Sequence, residues 1–175
     1  MLKLTYSSHN TKRLDLFIEG EKEMLEFGKN LADVCGPGNV FFLHGQLGVG
    51  KTTLARGFLR AFGHEGAVKS PTYTIVEHYH LKNQRIFHFD LYRLANPEEL
   101  EYMGARDYFH QHAICLVEWA ENGVGFLPKA DLDIKITYEE AGQRRLHLEP
   151  GTHEGYRILK DLDQYLGLYS ASSTD

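Results

Sequence analysis

The chain has 175 residues, 42% of them hydrophobic and 25% charged, enough to bury one substantial core in a single globular domain. Its 24 acidic against 19 basic residues leave a formal charge of −5, and no dense basic stripe is present. That balance argues against unaided binding to nucleic acid, and the absence of a long apolar segment argues against a signal peptide or a membrane span.

The first ten residues are polar and read as loose. Leu14, Leu16 and Ile18 then alternate with Asp15, Phe17 and Glu19, the period of a short strand. From Glu21 the period becomes helical, with Met24, Leu25, Gly28, Leu31, Ala32 and Cys35 on one face and Gly36-Pro37-Gly38 as the stop. Val40-Phe41-Phe42-Leu43 is an unbroken apolar run, as in a strand buried on both faces. Residues 51–62 read as a helix turning Leu54, Phe58, Ala61 and Phe62 inward, with Gly63 as its stop. Gly57 counts as a weak point of about 1 kcal/mol relative to Ala.

Residues 73–81 and 85–91 are two strand-like runs around Lys82-Asn83-Gln84, which predicts a hairpin. Asn96-Pro97-Glu98-Glu99 has the chemistry of a helix start, and residues 106–112 form a second short helix. Residues 113–117 are an apolar strand ending at Glu118. Residues 131–138 and 144–148 form a second hairpin, residues 154–166 a closing helix, and residues 170–175 a disordered tail beyond a single domain spanning 1–169. The fold class expected from this order is α/β: a three-layer P-loop NTPase sandwich with a mainly parallel central sheet and antiparallel hairpins added.

The chemistry is concentrated between the third run and the helix after it. Gly45-Gln46-Leu47-Gly48-Val49-Gly50-Lys51-Thr52 matches G-x-x-x-x-G-K-[ST], the P-loop pattern, in the strand-loop-helix setting its mechanism requires. Glycines let successive N–H groups converge on an anion, and the following helix adds its positive end. The cradle is therefore Gly45, Leu47, Gly48, Val49, Gly50, Lys51, Thr52 and Thr53. Lys51 is aimed at the β and γ phosphates, and Thr52 offers its hydroxyl to Mg2+. A lone disulfide would be out of place beside nucleotide chemistry, so Cys115 is read as a buried thiol in a reducing, cytoplasmic setting.

Such a site also needs a carboxylate near the metal, at the end of a neighbouring strand. Glu118 ends residues 113–117 and Asp90 ends residues 85–89. Both fit, one on the metal and one orienting the attacking water, and sequence does not rank them. No Asn-Lys-x-Asp segment is present to read guanine, so ATP is the expected nucleotide.

Three further strings accompany the loop: Ser70-Pro71-Thr72-Tyr73, His88-Phe89-Asp90-Leu91-Tyr92-Arg93 and Val117-Glu118-Trp119-Ala120. In this order and spacing the four together resemble the TsaE (YjeE) family, the bacterial ATPase component of tRNA threonylcarbamoyladenosine synthesis, over about residues 21–150. The resemblance implies a small ATPase that joins a threonylcarbamoyl transferase and that enzyme's inactive paralogue. It drives the transferase cycle without performing the transfer, and meets tRNA only through the complex. It further implies that Thr72 lies in a segment like the mobile switch of a GTPase. Asp90 and Glu118 would lie by the metal and γ-phosphate, and Trp119 close to the nucleotide. Members commonly carry an acidic residue where Gln46 stands. That side chain should point out of the cradle.

Other residues read more plainly. His78 with His80, and His110 with His112, are surface or structural histidines rather than zinc ligands. Arg56, Arg60, Arg93 and Arg106 are candidates to stabilise charge on a transferred phosphoryl group, Arg93 first among them because it follows Asp90. Arg144 and Arg145 form an exposed hairpin end. Two other function classes remain open: a small-molecule kinase, for which no lid segment is visible, and a nucleotide-gated binding module with negligible turnover.

Overall fold

Nearly all the apolar runs of the chain are consumed by one sheet, and their parity decides which face each side chain meets. The computed structural model describes residues 3–4 and 13–172. Its strands are β1 (Lys3–Leu4), β2 (Leu14–Glu19), β3 (Val40–His44), β4 (Val76–Leu81), β5 (Gln84–Asp90), β6 (Ala113–Glu118), β7 (Leu132–Tyr138) and β8 (Gln143–Pro150). Its helices are α1 (Gly20–Val34), α2 (Lys51–Ala61), the single turn α3 (Glu99–Tyr102) and α4 (His153–Ser172). Of the expected loose N-terminus, all but the short β1 lies outside the described residues, as do residues 173–175 of the expected tail.

The strands form one eight-stranded sheet in the order β1-β2-β8-β7-β3-β6-β5-β4. The centre, β7-β3-β6-β5, is parallel throughout. Both predicted hairpins are present as antiparallel pairs, β4 with β5 and β7 with β8, and β2 and β1 extend the margin beyond β8. The α/β class and the mixed sheet are therefore as expected.

Alternation sorts the core. On one face Phe41 and Leu43 of β3, Leu116 of β6 and Ile134 of β7 pack under Phe27 of α1, Phe58 of α2 and Ile158 of α4. On the other, Val40, Phe89, Cys115 and Val117 meet Leu100 of α3 and Ala105 of a 3-10 turn, Ala105–Tyr108. This second face is covered by short turns instead of full-length helices. The helix start at Asn96 is genuine but brief: Asn96 Oδ1 accepts from the Glu98 N–H at 3.0 Å, while Glu99 Oε1 accepts from the N–H of Asn96 at 2.9 Å. Gly104, with φ of 69°, then turns the chain out of the helix. Among the described residues, no helix is long and apolar enough to cross a membrane.

The helix layer above the site depends on two glycines. A Cβ at Gly57 of α2 would lie 2.2 Å from the Leu25 carbonyl oxygen of α1, and one at Gly28 would lie 2.3 Å from the Leu54 carbonyl oxygen. The helices approach so closely that their backbones touch, which sets α2, and hence Lys51, at a fixed height over the sheet. Gly57 is thus a packing requirement, where helix propensity alone marks it as a defect.

Propensity predicts that Gly57→Ala stabilises by about 1 kcal/mol. The crossing predicts the opposite sign, a loss of about 1–3 kcal/mol from overpacking against backbone. Urea denaturation of the two proteins decides between them.

Candidate functional site

β3 hands the chain to α2 through residues 45–50, where Gly45, Gly48 and Gly50 have φ of 142°, 77° and 123°. Only glycine takes these angles readily, so the loop can curl its backbone tightly between strand and helix. The Val49 side chain points into the core, with 1% of its surface exposed, and anchors the loop from beneath. From outside, the Tyr138 hydroxyl donates to the Gly48 carbonyl at 2.9 Å and Arg144 Nε donates to the Val49 carbonyl at 3.2 Å. The Arg144 guanidinium lies 4.5 Å over the Tyr138 ring. Arg144 is therefore a half-buried clamp on the loop and not a free hairpin end, because the β7–β8 pairing brings it beside Tyr138. Gln46 is exposed, as expected.

Three strand ends meet this loop. In the parallel register, Glu118 stands opposite Leu43 of β3 on one side and opposite Asp90 of β5 on the other. The carboxyl ends of parallel strands are where open α/β sheets bind ligands. Glu118 is buried, and its Oε1 accepts from Thr52 Oγ1 at 2.9 Å and from His88 Nε2 at 2.8 Å. Asp90 is buried too. Its Oδ2 accepts from Thr72 Oγ1 at 3.2 Å and from the Ser70 hydroxyl, and its Oδ1 accepts from the Tyr92 N–H at 2.9 Å.

The segment carrying Ser70 and Thr72 is fastened to Asp90 a third time, since the Ile75 carbonyl accepts from the Asp90 N–H at 2.9 Å. Ile75 has φ of 67°, a costly angle for a β-branched residue. Trp119 also adopts a left-handed angle, φ 58°, directly after β6. That turn lays its indole beside the loop, with Tyr92 against it at 4.9 Å between ring centroids.

Lys51 closes the site. Its ammonium donates to the carbonyls of Gly45 and Gln46 and lies 4.2 Å from the centroid of the Trp119 ring. Burial pushes its pKa below the ordinary lysine value, against the opposing pull of the Glu118, Asp90 and Glu121 carboxylates. A cation and two carboxylates thus face one another across a cleft of about 190 Å³.

That cleft brings together most of the residues singled out from sequence. Leu47, Gly48 and Gly50 line the loop side, with Lys51, Thr52 and Thr53 from α2; Thr72, Asp90, Glu118 and Trp119 line the opposite side. Gly45 and Val49 do not line it; they support the loop from behind. Arg93 lies 4.4 Å over the exposed Tyr73 ring, and Arg56 pairs with Glu21, so neither lines the cleft. His88, Ser70 and Tyr92 stand in the family strings, but sequence alone assigned them no role in the site. The available signal was parity: His88 lies two residues before Asp90 on one strand and so shares its face.

The family model described as "Threonylcarbamoyl adenosine biosynthesis protein TsaE" matches residues 18–146. A Haemophilus influenzae protein named tRNA threonylcarbamoyladenosine biosynthesis protein TsaE is 48% identical over 151 residues, covering 83% of this chain and 95% of the relative. A Bacillus subtilis protein of the same name is 39% identical, covering 66% of this chain and 72% of its own length. A solved structure titled "Crystal structure of Bacillus subtilus YdiB" superposes with a TM-score of 0.77 at 29% identity, covering 90% of this chain and 99% of that one. The chain belongs to the TsaE family.

Immediately before the loop, His44 donates to Asp133 at 2.6 Å and lies 3.4 Å from Glu121. The hydrogen bond to Asp133 raises its pKa above 6.5, opposed by burial and aided by both carboxylate charges. A raised pKa means stability fully present below the unfolded value and lost as pH rises through the folded one. The thermal stability advantage of the wild type over His44→Gln is therefore expected to be larger near pH 6 than near pH 9. A difference that is constant or grows with pH contradicts this.

Proposed function

We propose that this TsaE-family chain binds ATP with Mg2+ at the 45–52 loop and hydrolyses it in tRNA threonylcarbamoyladenosine synthesis. The observation that carries the reading is the register match of Asp90 with Glu118, beside the Lys51–Thr52 start of α2. That arrangement sets a cation, a hydroxyl and two carboxylates around one cleft at the end of the sheet's parallel centre.

The residues fit the nucleotide and the ion. The loop's positive-φ glycines and the start of an eleven-residue helix favour an anion. Lys51 is held by backbone carbonyls, which a phosphate can replace at no loss of charge pairing. The Thr52 hydroxyl already gives its proton to Glu118, which leaves its oxygen lone pairs to a hard cation. Mg2+ is commonly held by one or two carboxylates together with substrate phosphates and water. We assign Thr52 and Asp90 to the ion, because the donors on the Asp90 Oδ2 are hydroxyls that can rotate away. Glu118, held by a buried imidazole, is assigned to the attacking water. When bound, Mg2+ supplies charge neutralisation at the phosphate oxygens.

Hydrolysis adds water across the terminal phosphoanhydride, giving ADP, inorganic phosphate and a proton. Its role is to drive the cycle of the threonylcarbamoyl transferase, in company with that enzyme's inactive paralogue, while this chain performs no transfer. Turnover is weak alone and rises with the partners present. The free thiols of Cys35 and Cys115, both pushed up to about 12 by burial, suit a reducing cytoplasm.

Lys51→Ala is expected to weaken ATP binding at least about 10-fold, given the charge it removes, and to abolish modification in a reconstituted assay. Modification that survives this change contradicts the reading. Glu118→Gln is expected to keep Mg-ATP affinity within a few-fold while slowing hydrolysis by about 10²–10⁴. Equal loss of binding and turnover would place Glu118 on the ion instead.

A further inference from the structure

His88 is a polar ring on the face of the sheet otherwise built from Ile86, Ile114 and Leu116, and none of its surface is exposed. Nε2 lies 2.8 Å from Glu118 Oε1, while Nδ1 is buried and finds no hydrogen-bond partner among the described residues. Buried polar atoms are paired in the great majority of cases, so an exception calls for a reason.

The two oxygens of Glu118 are treated unequally. Oε1 accepts from both Thr52 and His88, at 2.9 and 2.8 Å. Among the described residues Oε2 keeps only a 3.3 Å contact with the Thr52 hydroxyl, on a residue that lines the cleft. A carboxylate rotates easily about its terminal torsion, which is broad and roughly two-fold. One hydroxyl does not stop that rotation, since it can follow either oxygen. An imidazole locked in the core can.

We propose that His88 is a positioning residue for the hydrolysis assigned above: it ties down Oε1 of Glu118 so that Oε2 stays free at the cleft for the attacking water. This rests on the ATPase reading. In that step the water oxygen bonds to the γ-phosphorus and the bond from γ-phosphorus to the bridging oxygen breaks. ADP leaves with the electron pair, and the water proton passes to Oε2. The role also specifies the tautomer. A carboxylate only accepts, so Nε2 carries a proton.

The test compares wild type, His88→Leu and His88→Gln by single-turnover hydrolysis, Mg-ATP dissociation constant and thermal unfolding. Histidine-ring 15N correlation spectra of the nucleotide-free wild type add a readout independent of activity. Removing an outer-shell partner typically loses about 10- to 100-fold. His88→Leu is expected to lose that much in rate at saturating Mg-ATP, with affinity changed less than about 3-fold. His88→Gln, whose amide can donate to Oε1, should recover most of the rate, and the spectra should show the Nε2–H form. Wild-type turnover that survives His88→Leu overturns the role of His88 alone, as does an Nδ1–H tautomer. Equal loss of rate, affinity and folding in both variants also overturns it. A wild type without turnover overturns the ATPase reading and this role together.

Discussion

A buried lysine ammonium facing two buried carboxylates is the constraint on which the site depends. Lys51 has 4% of its surface exposed, Asp90 3% and Glu118 2%. Burying charge is unfavourable unless each group is hydrogen-bonded. Here the lysine leans on loop carbonyls and an indole, and the carboxylates on hydroxyls, the Tyr92 N–H and an imidazole. The hydroxyls can rotate, whereas the Tyr92 N–H and the His88 ring are fixed. The arrangement is stable enough to fold, and it leaves charges of both signs available to a ligand that carries phosphate and a cation together.

The fold exists to hold that arrangement at the right spacing. The parallel centre aligns three strand ends in one row, and the α1–α2 backbone contact at Gly28 and Gly57 fixes the height of Lys51 above them. The antiparallel margins contribute as well. The β7–β8 hairpin reaches back to hold the loop through Tyr138 and Arg144, and the turn before β4 carries Ser70 and Thr72 to Asp90. The strained angles at Ile75 and Trp119 occur where the chain enters β4 and leaves β6 beside the site. Backbone strain of this kind persists only when surrounding contacts over-determine it.

Much of this was legible in the sequence, and what was legible is local. The 45–52 loop, both hairpins and the positions of Asp90 and Glu118 at strand ends follow from spacing, turn residues and apolar runs within about ten residues of each other. What escaped is non-local. Nothing in the string places Asp90 opposite Glu118, since that register depends on how β5 settles against β6, a strand more than twenty residues later. Gly57 looks like a defect until α1 is laid against it, and Arg144 looks exposed until β8 pairs with β7. His88 stands in a string that marks the family, yet its bond to a residue thirty positions later is visible only in three dimensions.

The central claim is that the cleft between Lys51, Asp90 and Glu118 is where a nucleotide triphosphate and its metal ion lie. A crystal structure of the chain with a non-hydrolysable ATP analogue and Mg2+ tests it most directly. The account predicts the phosphates against the 45–52 loop, Lys51 moved from the Gly45 and Gln46 carbonyls onto them, and the ion on Thr52. A nucleotide bound elsewhere, or a Lys51 still donating to those carbonyls with the analogue in place, would contradict it.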